Sequence, residues 1–152
     1  MGTSFHQVNP LRRASSTELR YTFTIVSSKG RPYRTVTIDG HEILVGRGAV
    51  ENDELTFTVA EPDDLWLHVA GGIAGSHVVV RNPEKQPTLP HAVIERAAIL
   101  AAWHSKARGR ARVDVHYCRV ADVRKRRGAP PGEVELKRWE RIRVSATEPG
   151  VL

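Results

Sequence analysis

The chain has 152 residues, 40% of them hydrophobic, and carries 23 Lys and Arg against 17 Asp and Glu for a net charge of +6. That length suits one domain able to bury about 70% of its unfolded surface, and no apolar run approaches the roughly 20 residues that span a bilayer. A lone cysteine, Cys118, excludes an intramolecular disulfide, and Met1 to Thr17 lacks the apolar run of a signal peptide, so the expected compartment is the cytoplasm, with no membrane partner.

Residues 1–20 are polar, with Asn9-Pro10, Arg12-Arg13 and Ser15-Ser16, and offer no face to pack, which predicts a disordered arm before a single domain over 21–152. Tyr21 to Val26 alternates as a strand does. Thr35 to Ile38 and Glu42 to Val45 flank Asp39-Gly40, the signature of a type I′ hairpin. Leu55 to Val59, Asp64 to Val69 and Ser76 to Val80 read as further strands, rich in β-branched residues and separated by Pro62 and Gly71-Gly72. One long helix follows, with Thr88 as its cap, Pro90 in the first turn and Gly109 just past Arg108. Leu89, Val93, Ala97, Leu100 and Trp103 recur on its sheet-facing side. Arg112 to Tyr117, Val120 to Val123 and Arg141 to Val144 complete the strands, with the basic loop Arg124 to Gly132 between the last two. The sum is an α+β domain with a largely antiparallel sheet and one long helix packed on it.

Pairing Asp64 to Val69 with Ser76 to Val80 through Ala70 to Gly75 sets His68 opposite His77, Trp66 opposite Val79 and Asp64 opposite Arg81. Period-two alternation brings these residues to one face and sends Leu65, Leu67 and Val69 to the other. Three uses of that face compete: RNA contact through stacking and hydrogen bonding, a divalent metal on His68, His77 and Asp64 or Asp63, and a satisfied core joining strand to helix. Ser76 beside His77 is no hydrolase pair, because neighbours in a strand point oppositely.

The cations are clustered. His104 to Arg143 holds 13 Lys and Arg against five Asp and Glu, a surplus of eight that leaves the rest of the chain at minus two. Such a field favours a polyanion. Arg47, set between Gly46 and Gly48, can grip a phosphate bidentately or brace its loop on Asp53 or Asp64, and Asn52-Asp53 can cap a turn. Lys106 and Arg108 suit either a helix C-terminus or a phosphate. The run Arg124, Lys125, Arg126 and Arg127 projects charge from a fixed base.

The order Asp39-Gly40, Val45-Gly46-Arg47, Asn52-Asp53, Asp64-Leu65-Trp66-Leu67-His68 and Gly75-Ser76-His77 resembles the RNA-binding domain of the NFACT family, ribosome quality-control proteins that bind stalled large subunits and tRNA. The resemblance runs from Arg34 to Val144, through Ala97 to Ala102, Ser105 to Arg108, Val123-Arg124-Lys125 and Pro131 to Val134. One position departs from it: Gly48 stands where Asn is usual. The resemblance implies a stand-alone, non-catalytic module, and the lack of an HxxxH spacing, CxxC pair or paired-carboxylate motif leads to the expectation of no cofactor and no metal. Its implied partner is tRNA or ribosomal RNA within the ribosome, beside a protein partner supplying the other NFACT-type modules. Arg47, Trp66, His68, His77, Arg81, Lys106, Arg108 and Arg124 to Arg127 are then the RNA-contacting candidates. Gly46, Gly48, Asn52, Asp53, Asp64, Gly75 and Ser76 shape the site.

Overall fold

The structure, a computed structural model, describes residues 23–26 and 29–149; the arm expected over 1–20 lies outside the described residues. Seven strands form one sheet in the spatial order β1 (Phe23–Val26), β2 (Tyr33–Ile38), β3 (His41–Gly46), β5 (Val78–Val80), β4 (Leu65–Val69), β6 (Val113–Arg119) and β9 (Glu140–Val144). Every neighbouring pair is antiparallel. Asp39 and Gly40, at φ 51° and 79°, turn β2 into β3, as the type I′ signature requires.

The two faces of the sheet are covered differently. Helix α2 (His91–Trp103) lies across one face, where Val93, Ala97, Ala98, Ala101 and Ala102 pack on Leu67, Val69, Val78 and Val80. These four alanines are fully buried and keep the helix axis close to the strands. The other face carries helix α1 (Ala49–Glu54), which runs into a π-helical turn over Leu55–Val59, and a two-stranded ribbon of β7 (Val123–Arg124) and β8 (Glu135–Leu136). Beneath them a second core gathers Tyr33, Leu44, Leu55, Trp66, Val79 and Cys118.

The α+β class and antiparallel sheet stand, with four local corrections. Leu55 to Val59 is helical rather than a strand, because Leu55 and Thr56 are buried by continuing the turn from Asn52. The fifth strand begins at Val78, not Ser76, since the amide of Ser76 bonds instead to the carbonyl of His104. Helix α2 is short, at 13 residues: Pro90 rather than Thr88 stands at its N-cap, and it ends at Trp103, so Lys106 and Arg108 follow it and do not occupy its last turn. Val120–Asp122 forms a 3₁₀ turn that only then enters β7.

Candidate nucleic-acid interface

Strand register builds the site. Trp66 pairs with Val79 and His68 with His116, and His116 pairs with Arg141 on the next strand. Along the predicted hairpin, the Arg81 guanidinium meets Asp64 at 3.0 Å. His77, His68, His116 and Arg141 therefore form a row across the sheet face opposite α2. The rings of His68 and His77 meet edge-on at 5.3 Å, and Trp66 stacks on His68 at 5.9 Å and meets His77 edge-on at 5.0 Å.

A network of hydrogen bonds holds the floor of this face. The Asn52 carboxamide accepts from the His77 amide at 3.0 Å and donates to the Gly75 carbonyl at 3.3 Å, in the manner of an added strand. A Cβ at Gly46 would overlap Asn52 Oδ1, and one at Gly75 would come within 2.6 Å of Ser105 Cβ. The Ser76 hydroxyl donates to the Gly46 carbonyl at 2.7 Å. Asp53 accepts from the Gly132 amide, while His77 Nε2 donates to the Gly132 carbonyl, so the Pro130 to Glu133 turn is tied down from two sides. Gly48 begins α1 in extended backbone with no side-chain cap, so the helix starts without the oxygen an Asn would supply there.

Electrostatics fix the state of the imidazoles. A carbonyl can only accept, so His77 carries its proton on Nε2 and receives the Thr56 hydroxyl at Nδ1, 2.9 Å away. Burial, with a further push from His68, drops its pKa to about 3. Burial likewise lowers His68 and His116, and His104 falls to about 4 through burial and the nearby Arg34 and Arg108. The three imidazoles of the row are thus neutral at pH 7 and offer hydrogen bonds and ring surface, not charge. Asp64, fully buried, accepts from Arg81 and from the amides of Asn82 and Glu61, so it is not available beside the histidines as a ligand. Among the described residues no three His, Cys, Asp or Glu side chains converge on one point.

The sequence candidates separate by what they touch. Trp66 and His77, at 2% and 1% exposure, form the floor from beneath and cannot stack on a ligand as they stand. Lys125, expected to reach phosphate, is instead folded inward, bonding Asp53 at 2.9 Å and the carbonyls of Pro130 and Glu133 at 2.6 and 2.9 Å. Arg126 lies against Glu133 and Glu135. Arg47 donates Nε to the Arg31 carbonyl at 2.9 Å, neither to Asp53 nor to Asp64. Arg108 is held rather than loose: its guanidinium sits 4.2 Å above the Trp103 ring and Nε donates to the Trp103 carbonyl, which leaves its outer edge for an acceptor.

These parts enclose a groove of about 1270 Å³. Its floor is Trp66, His68 and the Gly71 to His77 loop; one bank carries Arg34, Arg47, Lys106 and Arg108, and the other carries His116, Trp139 and the turn from Pro130 to Leu136. Arg34, His116 and Trp139 were not among the sequence candidates. The register of β6 and β9 brings His116 and Trp139 to the groove, Arg34, whose partner Val45 faces α2, reaches its rim near His104, and no local motif marks any of them.

The sequence profile of the NFACT protein RNA binding domain matches residues 31–138. The chain belongs to this family. As an NFACT RNA-binding domain it is 40% identical over 111 residues to a Rqc2 homolog RqcH of Bacillus subtilis, covering 70% of this chain and 19% of that protein. With a Rqc2 homolog RqcH of Streptococcus suis it shares 38% identity over 124 residues, 81% of this chain and 22% of the other. The chain thus spans about a fifth of the length of these relatives. The solved C-terminal part of the fibronectin/fibrinogen-binding protein of Streptococcus suis superposes with a TM-score of 0.71 at 36% identity, over 81% of this chain and 48% of that one. The family places the groove in an RNA-binding domain, and the geometry gives its parts.

Proposed function

We propose that the groove is the RNA-binding surface of a non-catalytic module that contacts tRNA or large-subunit ribosomal RNA in ribosome-associated quality control or a tRNA-linked pathway of the cytoplasm. One observation carries this reading. Most basic side chains near the sheet have acidic partners: Arg81 with Asp64, Arg119 with Asp63, Lys125 with Asp53, and Arg141 and Arg143 with Asp114. Three cations of the groove bank, Arg34, Lys106 and Arg108, do not follow that pattern. Among the described residues no carboxylate lies within ion-pair distance of Arg34, Lys106 or Arg108, and all three are exposed.

Unopposed cations along one bank raise the local potential and attract a polyanion whose phosphates release counterions on contact. Neutral imidazoles and amides on the floor then offer hydrogen bonds to sugar and base. Arg124 and Arg127, exposed at the tip of the ribbon, extend the positive surface. Crosslinking in cells followed by sequencing of bound RNA tests the reading: enrichment of tRNA or large-subunit RNA supports it, and recovery of neither overturns it.

A further inference from the structure

We propose that Trp139, backed by His116, is a stacking platform for one unpaired base, so that the groove takes single-stranded RNA such as a loop or an end. This rests on the RNA-binding reading above and adds to it the form of RNA recognised. Trp139 is 51% exposed, whereas Trp66 is buried and Trp103 lies under Arg108. Among the described residues the other large apolar side chains displayed in this way are Val50 and Phe57. Continuing the β6–β9 register past Tyr117 and Glu140 sets Trp139 beside Cys118, on the same face as His116.

The His116 ring lies 5.6 Å from the Trp139 ring at a 40° tilt, supporting the indole from the sheet side. Burial holds His116 neutral. The platform therefore has an apolar face, one braced side and one side open to the groove.

The surroundings decide what occupies it. An exposed indole can seat a protein partner when it belongs to a contiguous apolar patch with a polar rim. Trp139 is instead a single exposed ring: Val134 and Leu136 on the same wall are half-buried, and its chain neighbours Lys137, Arg138, Glu140 and Arg141 are exposed and charged. Arg138 is paired with Asp122 and Arg141 with Asp114, and the groove's other bank carries Arg34, Lys106 and Arg108. Aromatic faces set in a positive groove hold successive nucleotides by stacking while the cations follow the backbone. A base within a duplex is already stacked on its neighbours and cannot lie on the indole, so the occupant is unpaired.

The test measures binding of the full chain to a single-stranded adenylate oligonucleotide and to an RNA duplex of equal length. The parent and the variants Trp139→Ala, Trp139→Phe and His116→Ala are compared at several salt concentrations. Trp139→Ala is expected to weaken single-strand binding by about 5- to 150-fold, the range for removing one aromatic–base stack. Duplex affinity and the salt slope should stay within about twofold of the parent, and Trp139→Phe should keep most of the single-strand affinity. His116→Ala gives a smaller decrease on the single strand.

If the parent binds RNA but Trp139→Ala binds the single strand equally well, the platform is wrong and the RNA-binding reading survives. Equal decreases on single strand and duplex also overturn the platform, since they mark a general effect on the fold or the field. If the parent binds neither RNA, both readings fall.

Discussion

Asn52 occupies the space that a side chain at Gly46 would need, and from there its carboxamide takes the His77 amide at 3.0 Å. The relationship ties three separated segments, the end of β3, the start of α1 and the strand entering β5, into one support for the groove floor. Gly46→Ala should therefore displace Asn52 and cost about 1–3 kcal/mol of stability in denaturant unfolding, the range for overpacking a well-filled site. Asn52→Ala should cost a similar amount by orphaning the buried amide. The double variant should be destabilised clearly less than the two singles together, because the shorter side chain removes the clash. Strict additivity would contradict the contact.

Lys125→Ala separates structural from binding cations. Its ammonium holds Asp53 and two carbonyls of the Pro130 to Glu133 turn, and removing it leaves those acceptors short of a donor, at a cost of about 1–3 kcal/mol. Arg34→Glu and Lys106→Glu, at exposed sites, should alter stability by less than about 0.5 kcal/mol. They should instead weaken RNA binding and flatten the dependence of log affinity on log salt, by about 0.7 for each phosphate of a single strand that is no longer neutralised. Thermal melts and salt titrations of the three variants check this. A Lys125→Ala protein as stable as the parent would place that side chain in solvent.

Arg81 belongs to the structural set as well. Its partner Asp64 is almost wholly buried and accepts two backbone amides besides the guanidinium. Arg81→Ala leaves a buried carboxylate without its counter-charge and should cost about 3–5 kcal/mol, read from the shift in denaturant midpoint. A neutral outcome would mean that solvent reaches Asp64.

The register of the central hairpin was legible in the sequence because its two faces differ so sharply. Leucines alternate with Asp64, Trp66 and His68, and a slip of one residue would turn the leucines away from α2 and set the polar group against it. The pairing of Trp66 with Val79 and the Arg81–Asp64 contact follow from that alternation alone. Leu55 to Val59 misled for a related reason: Leu, Phe and Val alternate with two threonines there, the pattern of a strand. Tertiary bonding prevails, since Thr56 must meet His77 Nδ1 and Leu55 must enter the second core. The apparent surplus of charge in Arg124 to Arg127 hides a similar fact, as Asp53 and Glu133, distant in sequence or across a turn, take up Lys125 and Arg126. Arg34 and Trp139 could not be found by motif, because Trp139 reaches the groove through strand register and Arg34 reaches its rim near His104.

Acid should unfold the domain through His77. Its folded pKa of about 3 lies below the value of about 6.5 for an unfolded chain. At neutral pH both states are uncharged at this residue; as pH falls below about 6.5 the unfolded state binds a proton that the folded state refuses. Stability is therefore full above that pH and declines toward pH 3, by up to about 1.4 kcal/mol per pH unit from this one group. His104, at about 4, acts in the same sense. Denaturant midpoints of the parent and of His77→Gln between pH 7 and 4 should show a shallower acid limb in the variant, and parallel limbs would contradict the assignment.

The central claim is that RNA lies in the groove on the sheet face opposite α2. Titrating the isotopically labelled chain with tRNA and following amide, imidazole and indole resonances tests it most directly. Shifts should concentrate at Arg34, Gly71 to Ser76, Lys106 to Arg108, His116 and the Trp139 indole, and fade as salt rises. Shifts confined to the exposed surface of α2 around Glu95, with the groove resonances unmoved at saturation, would contradict the account.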